Sequence, residues 1–178
     1  MRDSILHLKP WQVFLVLLAP YFASWYVTDE VVSTALCALG ALLLVSWLVL
    51  VSHTLLQLGR ALPGYAPVWV RTNALIVAAV VIYSFVASNP SFLITATSVH
   101  ADGLWALLMS YVLFAYLHLH WFPASLLVAK EQRQRPDVSQ VLGAFLLLIF
   151  WPIGVWVIQD RINVLAKKLA SLPADNVR

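Results

Sequence analysis

Five apolar stretches, residues 11–27, 31–58, 72–88, 103–129 and 138–159, contain no Lys, Arg, Asp or Glu. Every charged side chain lies between or beyond them. A helix rises about 1.5 Å per residue, so a hydrocarbon core about 30 Å thick takes about 20 apolar residues to cross. Four of the five stretches reach that length, alone or with flanking polar residues, and residues 11–27 sit at the short end. Lipid offers no water to backbone N–H and C=O groups, so a span must satisfy them internally as a helix. A β-barrel strand would alternate polar and apolar residues, whereas these runs are continuous. A hydrophobic fraction of 62% and a mean hydropathy of +0.85 lie far above a soluble domain. The expectation is one all-α domain, a polytopic transmembrane helical bundle. It has four spans, a fifth segment (138–159) that spans or re-enters, and a short amphipathic C-terminal helix over about 158–172.

The single cysteine, Cys37, lies inside the second stretch and cannot form an internal disulfide. Basic Arg2 and Lys9 precede the first run as in a signal peptide. No small-x-small cleavage site follows, however, and Ala19-Pro20 interrupts the run, so residues 11–27 read as a retained span.

Lys and Arg in short connections mark the cytoplasmic side. They occur at the N-terminus, at Arg60 and Arg71, and in Lys130 to Asp137, but not in Thr28-Asp29-Glu30 or in Ser88 to Asp102. The alternation predicts a bacterial inner (cytoplasmic) membrane protein with a cytoplasmic N-terminus. Arg161, Lys167, Lys168 and Arg178 break the pattern, because a fifth crossing would place them outside. Length favours that fifth crossing. The alternative is entry and return, with a bend at Trp151-Pro152-Ile153-Gly154, where proline removes a donor and glycine adds backbone freedom. Beyond it, Ile158, Ile162, Leu165, Leu169 and Leu172 repeat at helical spacing, with Gln159, Asp160, Asn163, Lys167 and Lys168 on other faces. Such a helix either lies on an anionic membrane surface or packs on a neighbour.

Small residues at Ser33/Cys37/Ala41, Ala74/Ala78 and Ala106/Ser110 allow close helix approach within the bundle or in an oligomer. Trp11, Trp25, Trp69, Trp105 and Trp121 fall near span ends, where indoles suit the headgroup level, while Trp47, Trp151 and Trp156 lie deeper and are expected to fill the interior.

Inside the spans the only titratable polar candidates are His53, His118 and His120. A pair of neutral imidazoles drawn from them would suit haem or a metal. Against this, His118 and His120 are two residues apart and point to nearly opposite faces, and no Cys or carboxylate completes a ligand set. Hydrogen bonding between helices, or snorkelling to the interface, is the plainer role. No cofactor and no metal are expected, haem being the alternative. The sequence carries no phosphate loop, zinc motif or nucleophile elbow. Lys130, Arg133 and Arg135, interleaved with Gln and acids, read with Lys167 and Lys168 as contacts to anionic lipid headgroups rather than to nucleic acid.

The run Phe150-Trp151-Pro152-Ile153-Gly154-Val155-Trp156, followed by Gln159-Asp160-Arg161-Ile162-Asn163, resembles a C-terminal signature of a family of small bacterial multi-pass membrane proteins. That signature has an aromatic-Pro-Ile-Gly-aliphatic-Trp core and then Gln-Pro-Arg-Ile-Asn. Leu62-Pro63-Gly64 and Ala129-Lys130-Glu131-Gln132 are similar to its other landmarks. The resemblance covers the last third of the chain and otherwise only the layout, and it implies a membrane bundle with no assigned activity. Asp160 stands where the signature has Pro, so the helix is expected to continue past Gln159. Tryptophan-rich five-helix sensors of the translocator type are similar in size and span number, but their Trp-Pro-Pro and Leu-Asn motifs do not occur here.

With no catalytic set visible, the leading expectation is a non-enzymatic membrane protein, an oligomeric bundle acting as partner or scaffold among membrane lipids. One alternative is a pore-forming channel or membrane-perturbing effector with Trp151, Pro152, Gly154 and Trp156 at the break or lining the pore. The other is a histidine-ligated haem or quinone-linked redox protein.

Overall fold

In the computed structural model the structure describes residues 8–58, 64–87, 91–94 and 98–171. The readings on Arg2, Arg60, Leu62, Pro63, Ser88, Leu172 and Arg178 lie outside these residues. The described residues form α1 (Pro10–Ser24), α2 (Glu30–Gln57), α3 (Pro67–Val86), β1 (Phe92–Ile94), β2 (Val99–Ala101), α4 (Leu104–Gln132), α5 (Val138–Ile149) and α6 (Trp151–Ala170). Three helices, α2, α3 and α4, are long and apolar enough to cross a membrane, while α1 and α5 are apolar but shorter. The chain divides into two compact units. The first comprises Met1–Phe14, Leu48–Pro67 and His120–Arg178, and the second Leu15–Trp47 and Val68–Leu119.

Helix starts follow local chemistry. Asp29 Oδ1 accepts from Val32 N–H at 2.9 Å, which caps α2. Gln12 and Gln140 reach back to the backbone N–H of Lys9 (2.9 Å) and Asp137 (3.0 Å), opening α1 and α5. The membrane-length helices are apolar on every face, and many of their large side chains, such as Leu75, Ile82, Leu107 and Leu113, are exposed. A helix apolar all round suits lipid.

In the second unit the small face of α2 meets α1. Ser33 Oγ donates to Ser24 C=O at 3.2 Å, Cys37 Sγ contacts Ser24 Oγ at 3.5 Å, and Gly40 lies against the Tyr21 ring. Ala74 is buried, as a packing residue should be. Ala106 and Ser110 are exposed, so that pair does not pack within the chain. The connection without Lys or Arg between α3 and α4 holds two short antiparallel strands pairing Phe92 with Ala101 and Ile94 with Val99. Its fully buried Phe92 packs on Tyr83 and Trp105 at ring separations of 6.0 and 5.1 Å.

In the first unit, residues 138–159 are not one continuous helix. Phe150 (φ −85°, ψ 54°) separates α5 from α6. In a continuous helix Pro152 would leave the Leu148 carbonyl without a donor and press its ring against it. Breaking at Phe150 puts Pro152 in the first turn of α6, where no N–H is needed. The Phe150 carbonyl then accepts from Ile153 and Gly154 N–H, at 3.0 and 2.9 Å. The bend thus falls just before the expected Trp151–Gly154 stretch, and α5 and α6 pack on each other. Gly154 makes that possible, since a Cβ there would overlap the Leu147 carbonyl, which is backbone and cannot move aside.

The amphipathic tail is no separate helix. α6 runs unbroken through Asp160, as expected from the missing proline. Its stripe Val155, Ile158, Ile162 and Leu165 is buried, as is the α5 stripe Val141, Ala144 and Leu148. One face of the tail therefore packs within the protein, while Lys167 and Lys168 on its other faces are exposed. Trp47 is buried as expected, but Trp156 is 46% exposed and Trp151 half-buried. The Trp156 ring lies 5.6 Å from that of Phe14. It faces outward because its position on α6 lies off the buried stripe.

Candidate functional site

The three histidines have three different surroundings. His53 is exposed and bonds Gln57, one turn on in α2, at 3.2 Å. His120 is fully buried. Both belong to the first unit, and His118 to the second. His118 Nδ1 lies 3.0 Å from Asn73 Nδ2, and the Tyr111 hydroxyl donates to Asn73 Oδ1 at 3.0 Å. Asn73 is a neutral residue in α3 that charge counting passed over, and it is 2% exposed. In this arrangement its amide donates to Nδ1, which puts the His118 proton on Nε2. Binding a metal through Nε2 would require the Asn73 amide to turn over and accept from Nδ1–H. Tyr111–Asn73–His118 therefore works as a hydrogen-bonded link between α3 and α4. Among the described residues no group of three His, Cys, Asp or Glu side chains is placed to hold a metal ion.

The densest polar chemistry lies in the first unit, around the signature-like segment of α6. Arg161 grips Glu131 of α4 with two bonds, Nε to Oε1 at 2.9 Å and Nη2 to Oε2 at 2.5 Å. Both side chains are 31% exposed, so the pair contributes about 1 kcal/mol or less. Its value is geometric, because a two-pronged contact fixes orientation as well as distance. Gln159 was expected on a polar face but is fully buried. Its amide donates to the Leu8 carbonyl at 3.4 Å, and Asn163, one turn on, donates to the same oxygen at 3.5 Å. Ile162 between them is fully buried. The Gln-x-Arg-Ile-Asn segment thus ties α6 at once to the residues before α1 and to the end of α4.

The expected headgroup contacts divide. Lys130 is buried, and its ammonium donates to the Leu58 carbonyl at 2.5 Å, just past the end of α2, where a helix leaves carbonyls without N–H partners. Arg133, Arg135, Lys167 and Lys168 are exposed. Arg133 ends α4 with φ 58°, the left-handed conformation that favours glycine. Tyr65 closes this end of the first unit: its hydroxyl bonds Ser125 Oγ at 2.8 Å, and its ring meets Phe122 edge-on at 5.7 Å. Of the break residues, Gly154 is buried in the α5–α6 contact, while Pro152 and Trp156 face outward.

No family model, curated protein or solved structure matches this chain.

Proposed function

We propose that this chain is a non-enzymatic scaffold of the bacterial cytoplasmic membrane, working as an oligomer or with a membrane partner, with α5–α6 as a re-entrant hairpin. The observation that carries the reading is the Arg161–Glu131 clamp. α5 has 12 residues, about 18 Å of helix. From Trp151 to Arg161, α6 covers about 15 Å. Those lengths are about half the hydrocarbon core. After them, Arg161 is bonded to Glu131, which precedes α5 in the chain. A segment that leaves Glu131 and comes back to it enters and returns. α1 to α4 then make four crossings, with α1, at 15 residues, the shortest. The basic tail falls on the same side as the other basic connections, which removes the conflict in the charge pattern. Non-helical backbone at Phe150 is tolerated at depth because its polar groups are satisfied: its N–H donates to the Leu146 carbonyl, and its carbonyl accepts from Ile153 and Gly154 N–H.

Lys130, Glu131, Gln159, Arg161 and Asn163 of the first unit are spent on joining elements, as a scaffold requires. The outward face of the hairpin, with Phe150, Ile153, Trp156 and Val157, is apolar and free to meet lipid or another copy. That same face supports the second reading, an oligomeric pore closed by apolar side chains. Mass measurement of the purified protein in detergent, together with ion flux in vesicles, separates the two. The scaffold reading predicts a defined oligomer or a co-purifying partner without ion flux in vesicles, and a strict monomer rules out the shared pore. A Soret band in the absorbance spectrum would overturn the cofactor-free reading.

A further inference from the structure

We propose that the cavity between the end of α4 and the last turns of α6 binds the phosphate of an anionic phospholipid headgroup. The cavity has a volume of about 220 Å³ and lies wholly in the first unit. Four basic side chains, Lys130, Arg133, Arg161 and Lys168, line it against two acidic ones, Glu131 and Asp160. Glu131 is already held by Arg161. Among the described residues Arg133 and Lys168 make no ion pair, so two cations face the cavity with only Asp160 opposing them. That balance selects an anion, and a guanidinium beside an ammonium suits phosphate oxygens.

The second observation is conformational. Arg133 holds a left-handed backbone at the very turn that ends α4, where glycine would be cheaper by about 1 kcal/mol. The strained residue is one of those that line the cavity. The third observation is the rest of the wall. Val164 and Leu169 of α6 give the cavity an apolar side, and Val164 is 57% exposed. A free phosphate gains nothing from such a wall, whereas the glycerol backbone and first acyl carbons of a lipid do. The proposal rests on the membrane reading above but not on the direction of the hairpin.

The test is binding of short-chain phosphatidylglycerol, phosphatidylcholine and inorganic phosphate to the full chain in a neutral detergent. The wild type should prefer phosphatidylglycerol over both. Arg133→Gly with Lys168→Gln should weaken that binding on the order of tenfold, since each basic residue near an anionic lipid contributes a comparable part. Glycine preserves the left-handed turn, so the variant's thermal midpoint should not fall, which keeps lost binding distinct from lost fold. Arg71→Gln, which removes one exposed charge in the second unit, outside the cavity, serves as the control and should bind as the wild type does. Unchanged phosphatidylglycerol binding in the double variant overturns the site. Inorganic phosphate binding as tightly as the lipid, and lost in the same variant, overturns the lipid assignment in favour of a free anion. Either result leaves the topology reading standing, because that is measured by the sidedness of the chain ends.

Discussion

At Gly154 a single methyl group decides whether two helices can pack. Gly154→Ala would push a Cβ into the Leu147 carbonyl, and backbone on both sides leaves no room to yield. Gly40→Ala would bring a Cβ to 2.6 Å from the tip of the Tyr21 ring, a side chain that can swing. The expected outcome is a loss of about 1–3 kcal/mol for Gly154→Ala, typical of overpacking, and a smaller loss for Gly40→Ala. Thermal unfolding of both variants in detergent checks the order, and an equal or reversed pair contradicts the tight α5–α6 contact. At this scale the sequence marks Pro152 and Gly154 as the break but not their separate parts. Glycine spacing alone does not say which backbone will approach. Asn73 escapes for a related reason: it carries no charge, and only the partners that the fold brings, Tyr111 and His118, make it matter.

Elements joined over long sequence separations are the least legible. The apolar stretches need no periodicity to be seen, since the absence of charge marks them; α2 and α4 fall within three residues of the stretches read for them, while α3 starts five residues earlier and takes in Arg71. The three-residue strands at Phe92–Ile94 and Val99–Ala101 are too short to show an alternating pattern. Gln159 looks like a solvated-face residue because its partner, the Leu8 carbonyl, is 151 residues away. Arg161 and Glu131, 30 residues apart, are likewise joined only by the folded chain. The clamp predicts a charge-swap rescue. Glu131→Arg and Arg161→Glu should each lower stability by about 1 kcal/mol, with part of that loss recovered when both are present. Thermal midpoints of the two single variants and the double variant measure this, and strictly additive losses would show that the pair does not couple α4 to α6.

For the whole molecule the question is whether the basic α6 tail shares a side with the N-terminus. The charge pattern fits the proposed four crossings, and the break at Phe150 with the return of Arg161 to Glu131 supports that proposal. The membrane-length helices, the basic connections and the troublesome segment are all legible in the sequence. The direction of that segment is not, because apolar length cannot distinguish one long crossing from two short helices folded together. The proposed topology would give Arg133 and Lys168 a common membrane surface and leave the outward face of the hairpin for lipid or a partner. The most direct measurement is a pair of reporter fusions in cells, one at the N-terminus and one after Ser171, read with a probe active on only one side of the membrane. The account predicts both reporters on the same, cytoplasmic side. Reporters on opposite sides would mean that residues 138–159 cross, and would contradict it.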